Sequence, residues 1–195
     1  MIICGVTLSP KDFGELRAER VRDSKKIGPN RRKFLAKLIK NRAGKCEILE
    51  YGPEEIDELR KKGTNMNQIE ARGFAQILNR LNPQKAYIDS ASANADKFAE
   101  NIRKMLENRA EIIVEHKADD RYLPVSAASI IAKVRRDQRI EELEEKYDEE
   151  MGSGYPSDER TVRFLKRWMR DHESLPDFAR KSWKTAQRIK SESGK

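Results

Sequence analysis

The sequence predicts an α/β protein, and three features carry that prediction. Residues 2–8, "IICGVTL", are β-branched and apolar on both faces, as a strand buried on both sides must be. Further on, "KAYIDS" (85–90), "NADKFAENIRKMLENRA" (94–110) and "EIIVEH" (111–116) read strand, helix, strand. That alternation implies a crossover unit and a parallel component to the sheet. Elsewhere apolar residues recur at helical spacing. The 37% apolar and 38% charged composition therefore reflects amphipathic helices with charged outer faces rather than disorder.

The elements follow in order. After the first strand, a Ser-Pro start near residue 9 opens a short helix, residues 23–28 form a polar turn, and Pro29 begins a second helix that Gly44 ends. "CEILEYG" (46–52) alternates as a short strand. Pro53 starts "PEEIDELRKKG", acidic first and basic last, which complements the dipole of its own helix. Residues 65–81 have helical apolar spacing, with Asn65 a candidate cap. From Val125, "VSAASIIAKVRRDQRIEELEEKY" predicts one long helix, small and apolar at its start, where it must pack closely. "GSGYPSD" is an ordered loop, "ERTVRFLKRWMRDH" a basic helix, and "PDFARKSWKTAQRIK" a further helix. The composition turns basic near Gly152, which suggests a division into residues 1–151 and 152–195.

The net charge is 41 − 33 = +8, and residues 158–195 alone carry eleven Lys/Arg against six Asp/Glu. Such a surface suits a polyanionic partner, although a basic protein without one is equally compatible with charge alone. Cys4 and Cys46 are too few for a disulfide framework and form no C-x-x-C pair. They read as small core or strand residues in a reducing cytoplasm. No apolar run approaches 18 residues, so no membrane-spanning segment is expected.

Asp89 ends one strand, and Asp119 lies just past the next in "HKADDR". Carboxylates at adjacent strand ends can converge on a metal, and hard oxygen ligands select magnesium or manganese. Strand-end aspartates also serve as turn formers and caps, so pattern alone leaves both roles open. His116 reads either as a base or as a solvated strand end, and His172 as a helix C-terminal residue. Lys25, in Asp23-Ser24-Lys25, is an anion-friendly lysine in what is otherwise an ordinary polar loop. Tyr155, between loop glycines and a proline, either stacks on a sugar or base or anchors its own loop. Trp168 and Trp183 occupy helical positions typical of core.

Several ordered blocks together resemble the archaeal branch of ribonuclease HII, the type 2 ribonucleases H. They are "RDSKKIGPNRR", "YIDSA", "FAENIR", "EHKADDRYLPVSAASIIAKVRRD", "GSGYPSD" with "RTVRFL", and "RKSWKTA". The resemblance implies a ribonuclease H-like mixed sheet of five strands flanked by helices, with a small helical C-terminal region. It implies an endonuclease that cuts the RNA strand of RNA–DNA hybrids, including at single ribonucleotides within DNA. It further implies two divalent ions, Mn2+ or Mg2+, held by four carboxylates, a monomer, and a cytoplasmic location. Asp89 matches the aspartate that bridges the ions, and Asp119 the last of the four ligands. Tyr155 matches the tyrosine that packs on the sugar following the ribonucleotide. Lys25 is assigned to phosphate contacts and residues 126–129 to helix packing.

The family pattern opens with a strand carrying Asp-Glu-Ala-Gly-Arg-Gly, and no such stretch occurs in these 195 residues. "MIICGV" matches the second strand of the pattern. Two of the four ligands and the stretch that reads the 2′-hydroxyl therefore have no counterpart here. Two expectations follow and stay open: a start upstream of Met1, with an ordinary nuclease, or a shortened protein that binds hybrids and cleaves poorly.

Overall fold

In the computed structural model, which describes residues 1–21 and 27–193, the first apolar run forms β1 (Ile2–Thr7). It pairs antiparallel with β2 (Lys45–Glu50), Cys4 facing Ile48 and Val6 facing Cys46. Between them lie a short 3-10 turn (Pro10–Asp12), α1 (Phe13–Ala18) and α2 (Pro29–Arg42). Pro29 begins α2 as the sequence predicts, since a proline at the first helical position loses no hydrogen bond. Residues 23–26 of the polar turn, Lys25 among them, lie outside the described residues.

After α3 (Pro53–Lys61) and α4 (Met66–Leu81), the crossover unit forms as expected. β3 (Lys85–Asp89) and β4 (Glu111–Glu115) pair in parallel on either side of α5 (Ala95–Arg103). The Asn94 side chain caps α5 by accepting from the Lys97 amide at 2.9 Å. The helix ends seven residues before the sequence suggests, because α4 captures the following backbone. Asn79 donates to the Met105 carbonyl at 3.1 Å and accepts from the Glu107 amide at 3.0 Å. The Asn108 side chain donates to the Leu78 carbonyl at 3.0 Å. The two Asn79 bonds satisfy backbone groups of a bend where helical periodicity alone would continue the helix.

The remaining helices are the short α6 (Ala118–Arg121), the long α7 (Leu123–Tyr147), α8 (Glu159–His172) and α9 (Lys184–Ser193). α8 begins and ends where its sequence suggests. Residues 176–183, expected to be helical, are turns instead. There the buried Asp57 carboxylate accepts from the Lys181 and Ser182 amides at 2.6 and 3.0 Å, which diverts the backbone from helix. Trp183 accordingly precedes α9 rather than lying within it.

The class is mixed α/β, as expected. The resemblance implies five strands. The described residues form four, in two ladders, β1–β2 and β3–β4. The Asp-Glu-Ala-Gly-Arg-Gly strand, which the family pattern places centrally, is not in the sequence.

The chain packs as two compact units. One comprises Ile2–Glu50 and Met66–Arg135 and holds both ladders. Its core has two parts. Leu16, Leu35, Ile39, Leu123, Ile130 and Ile131 pack around Cys4, while Phe98, Ile102, Ile88 and Ile112 pack with Ala71 and Ala75 of α4. Burying each large side chain stabilises the fold by roughly 1.5–3 kcal/mol. α4 lies so close to β1 that a Cβ on Gly5 would meet Ile77 Cγ2 at 2.5 Å and Leu81 Cδ1 at 2.7 Å.

The other unit comprises Met1, Tyr51–Asn65 and Arg136–Lys195, so Gly152 lies inside it. Its core gathers Met151, Phe164, Leu165, Met169 and Ile189, with Trp168 and Trp183 packed against it. Cys4 is buried and Cys46 half-buried, both as free thiols. No helix of the described residues is long and apolar enough to cross a membrane.

Candidate active site and substrate-contact loop

Parallel pairing sets Asp89 and Glu115 side by side at the ends of β3 and β4. Beyond β4 the chain reverses at Lys117, whose backbone is left-handed (φ +55°). A lysine held there costs on the order of 1 kcal/mol, so the surrounding contacts must impose the turn. Those contacts are on hand. Asp89 Oδ1 accepts from the Ala118 amide at 3.0 Å, which ties the end of β3 to the residue before Asp119. Ser126, fully buried on α7, donates its hydroxyl to the Asp119 carbonyl. Glu115 accepts from Arg121 at 2.8 Å and from the Tyr122 hydroxyl at 3.2 Å. Tyr122 in turn stacks on Tyr87 of β3 at 4.1 Å.

Asp89, half-buried at a strand end, is thus tied to the backbone beside Asp119, which is buried on α6. His116 is exposed beside them in the turn. The donor set consists of hard carboxylate oxygens, which suit magnesium or manganese. Magnesium is commonly held by one or two carboxylates, with water and substrate phosphate completing its shell. Among the described residues no three His, Cys, Asp or Glu side chains gather at one point. Asp89 and Asp119 are of the donor type such a shell takes, and the described residues gather no third ligand with them.

The supports around this pair, Glu115 and Ser126, carry weak sequence signals. Residues 126–129 were expected to pack a helix, and Ser126 does so. Its further bond to Asp119 depends on a neighbour seven positions away that periodicity does not reveal.

Tyr155 lies in the other unit, on the ordered loop between α7 and α8. The loop is tightly built. Gly152 and Gly154 have φ of +70° and +67°, and a Cβ on Gly154 would meet Ile140 Cδ1 at 2.6 Å. The Gly154 amide donates to the Thr161 hydroxyl at 2.9 Å, which itself donates to the Met151 carbonyl at 2.8 Å. Asp158 caps α8 through the Arg160 amide and also accepts from the Ser153 amide at 2.9 Å. The Arg160 guanidinium, followed by these Ser153 contacts, holds the Asp158 carboxyl well below the usual carboxylate range.

Tyr155 remains 47% exposed. The Arg136 guanidinium lies 3.4 Å from its ring centroid and also donates to the Ser153 carbonyl. One ring face is thus covered by a cation, and the loop is held rigid without burying the tyrosine. Arg136 has no separate sequence signal beyond its place in "AKVRRD". His172 ends α8, its ring stacked on Trp168 at 4.1 Å, a structural role as expected.

Comparison with known proteins gives a consistent result. Residues 1–186 match the sequence model of the family described as Ribonuclease HII. The chain is 42% identical over 193 residues to the ribonuclease HII of Methanothrix thermoacetophila, covering 99% of this chain and 91% of that protein. Among solved structures, the ribonuclease H2 from Pyrococcus horikoshii superposes with a TM-score of 0.87 at 37% identity, with full coverage of both chains. The ribonuclease HII in a complex with PCNA from Archaeoglobus fulgidus gives 0.86 at 38% identity, covering 96% of this chain and 88% of that one. With the family pattern spanning nearly the whole chain and relatives matching at about 42% identity, this protein belongs to the ribonuclease HII family of ribonuclease H type endoribonucleases.

Proposed function

We propose that the chain hydrolyses the RNA strand of RNA–DNA hybrids, including at single ribonucleotides within DNA, with Asp89 and Asp119 as ligands to two divalent ions. The observation that supports this reading is the bond from the Ala118 amide to Asp89, which ties the backbone next to Asp119 to the end of β3. Bound there, Mn2+ or Mg2+ supplies an activated water and stabilises charge on the leaving 3′ oxygen. The chain's own residues hold the site in shape. Ser126 and Glu115 fix the α6 turn, so the carboxylates keep their aim without reorganisation.

In this reading residues 1–151 carry the catalytic groups and residues 152–195 the basic substrate-binding region. Tyr155 packs its open face on the sugar that follows the ribonucleotide, Arg136 backing the other face. Lys25, outside the described residues, contacts a phosphate. The protein acts as a cytoplasmic monomer.

The test is cleavage of an end-labelled DNA duplex carrying one ribonucleotide, with Mn2+ or Mg2+ present. Asp89→Asn and Asp119→Asn should each abolish cleavage and weaken Mn2+ binding measured by calorimetry. Full cleavage by both variants would remove these residues from the site.

A second reading is favoured by one observation: no three candidate ligands gather among the described residues. With two carboxylates, ions that prefer about six oxygens bind weakly and keep most of their waters. A polypeptide of these 195 residues then binds hybrids in a salt-sensitive way and cleaves them little. Extending it with an Asp-Glu-Ala-Gly-Arg-Gly strand restores activity. Brisk hydrolysis by the 195-residue polypeptide, abolished by Asp89→Asn, excludes this second reading.

A further inference from the structure

Among the described helices, α2 alone contains no acidic residue. Its fourteen residues carry six cations: Arg31, Arg32, Lys33, Lys37, Lys40 and Arg42. Its buried side, with Leu35, Ala36 and Ile39, packs into the core. Arg31 bonds Glu19, and Arg42 bonds Glu15 at 2.7 Å, both glutamates near α1.

The exposed side of the helix is of one kind in composition. At 100° per residue, Asn30, Lys33, Phe34, Lys37, Lys40 and Asn41 fall within about 120° of one another, and all six are exposed. An ordinary solvated helix face mixes signs and makes i,i+4 pairs, as Lys104 and Glu100 do near the end of α5. The outward face of α2 has three lysines and no carboxylate.

The same face carries Phe34, 50% exposed. Phe34 and Tyr155 are the two large hydrophobics exposed to this degree among the described residues, and each has an arginine over its ring, Arg31 lying 4.8 Å from the Phe34 centroid. An aromatic ring left in water between cations suits sugar–phosphate contact: the lysines take phosphates and the ring packs on a sugar. The spacing fits as well. Lys33 to Lys40 covers about 10 Å of helix, close to the axial rise of three phosphates along one strand.

We propose that the outward face of α2 is a sequence-independent docking surface for the sugar–phosphate backbone of a nucleic-acid duplex, made of residues other than Asp89, Asp119 and Tyr155. The choice of partner rests on the reading of this chain as a nuclease. The surface itself rests on the composition and exposure of α2.

The test measures binding of two fluorescent duplexes without metal, one all-DNA and one RNA–DNA hybrid, by anisotropy across a salt series. Removing two phosphate contacts with Lys37→Gln/Lys40→Gln should lower the slope of log K against log salt by about 1.8 for both duplexes. Phe34→Ala should weaken binding by up to about tenfold while leaving the slope unchanged. Circular dichroism should show both variants folded, since all three side chains are exposed.

An unchanged slope in the double lysine variant, with Arg163→Gln/Lys166→Gln on α8 taking the loss instead, overturns the inference. So does loss of binding to vesicles of 30% phosphatidylserine with duplex binding intact. Neither outcome touches the catalytic reading, which is decided by cleavage in the Asp89→Asn and Asp119→Asn variants.

Discussion

Asp57→Ala should destabilise the unit that contains Tyr155, although Asp57 lies 124 residues from its partners. The Asp57 carboxylate is 8% exposed and accepts two backbone amides, Lys181 at 2.6 Å and Ser182 at 3.0 Å. Alanine leaves both amides without their acceptor. A buried donor left unpaired costs about 1–3 kcal/mol. Lys181 is exposed and Ser182 half-buried, so water replaces part of the loss and the lower end of that range applies to each. The sum is about 2–3 kcal/mol. For a chain of this size each kcal/mol lowers Tm by about 2–4 °C, which gives a fall of roughly 4–12 °C. Asp57→Asn keeps one carbonyl oxygen and should lose about half as much. The assay is a thermal melt followed by circular dichroism. Trp183 fluorescence in a Trp168→Phe background reports the turn itself, because Trp183 directly follows Ser182. A melt of Asp57→Ala within about 1 °C of the parent, with Trp183 emission unmoved, would falsify the claim that this carboxylate organises residues 181–183.

Tyr155→Ala should keep the fold, since the ring is half exposed, and lose most cleavage at RNA-to-DNA junctions; unchanged junction cleavage removes Tyr155 from the site. Ser126→Ala takes a buried donor from the Asp119 carbonyl and should cost about 1–2 kcal/mol in chemical denaturation. It should also weaken Mn2+ binding by about tenfold, as loss of a ligand's support does; equal Mn2+ affinity would show the bond to be purely structural. The neighbouring Cys4 thiol favours the Cys46 thiolate and draws the Cys46 pKa down to about 7. Cys46 should therefore alkylate at lower pH than an ordinary thiol, and Cys4→Ala should move that midpoint upward; a midpoint unaffected by Cys4→Ala refutes the coupling.

Much of this architecture is legible from local sequence. Strands β1, β3 and β4 follow from short apolar runs, and α8 runs from residue 159 to 172 as its 3.6-residue pattern predicts. The position of Asp89 at a strand end and the rigidity of the Gly-Ser-Gly-Tyr-Pro loop are also local properties, set by where an apolar run stops and where backbone φ turns positive. These are readable because propensity, caps and periodicity act over a few residues.

What the tertiary structure alone decided are the places where a distant group outcompetes the local pattern. Residues 104–110 have helical periodicity, yet the Asn79 side chain takes the Met105 carbonyl and the Glu107 amide, and the Leu78 carbonyl holds the Asn108 side chain. Residues 176–183 read as helix until Asp57 supplies a better acceptor for two of their amides. The tie from the Ala118 amide to Asp89, and the closing of Arg136 onto Tyr155, likewise join residues with no common period. A hydrogen bond between residues far apart in the chain leaves no trace in local spacing. It forms only once packing has brought its partners together, and because an unpaired buried amide or carbonyl is costly, it then overrides a helix preference worth only a few tenths of a kcal/mol per residue.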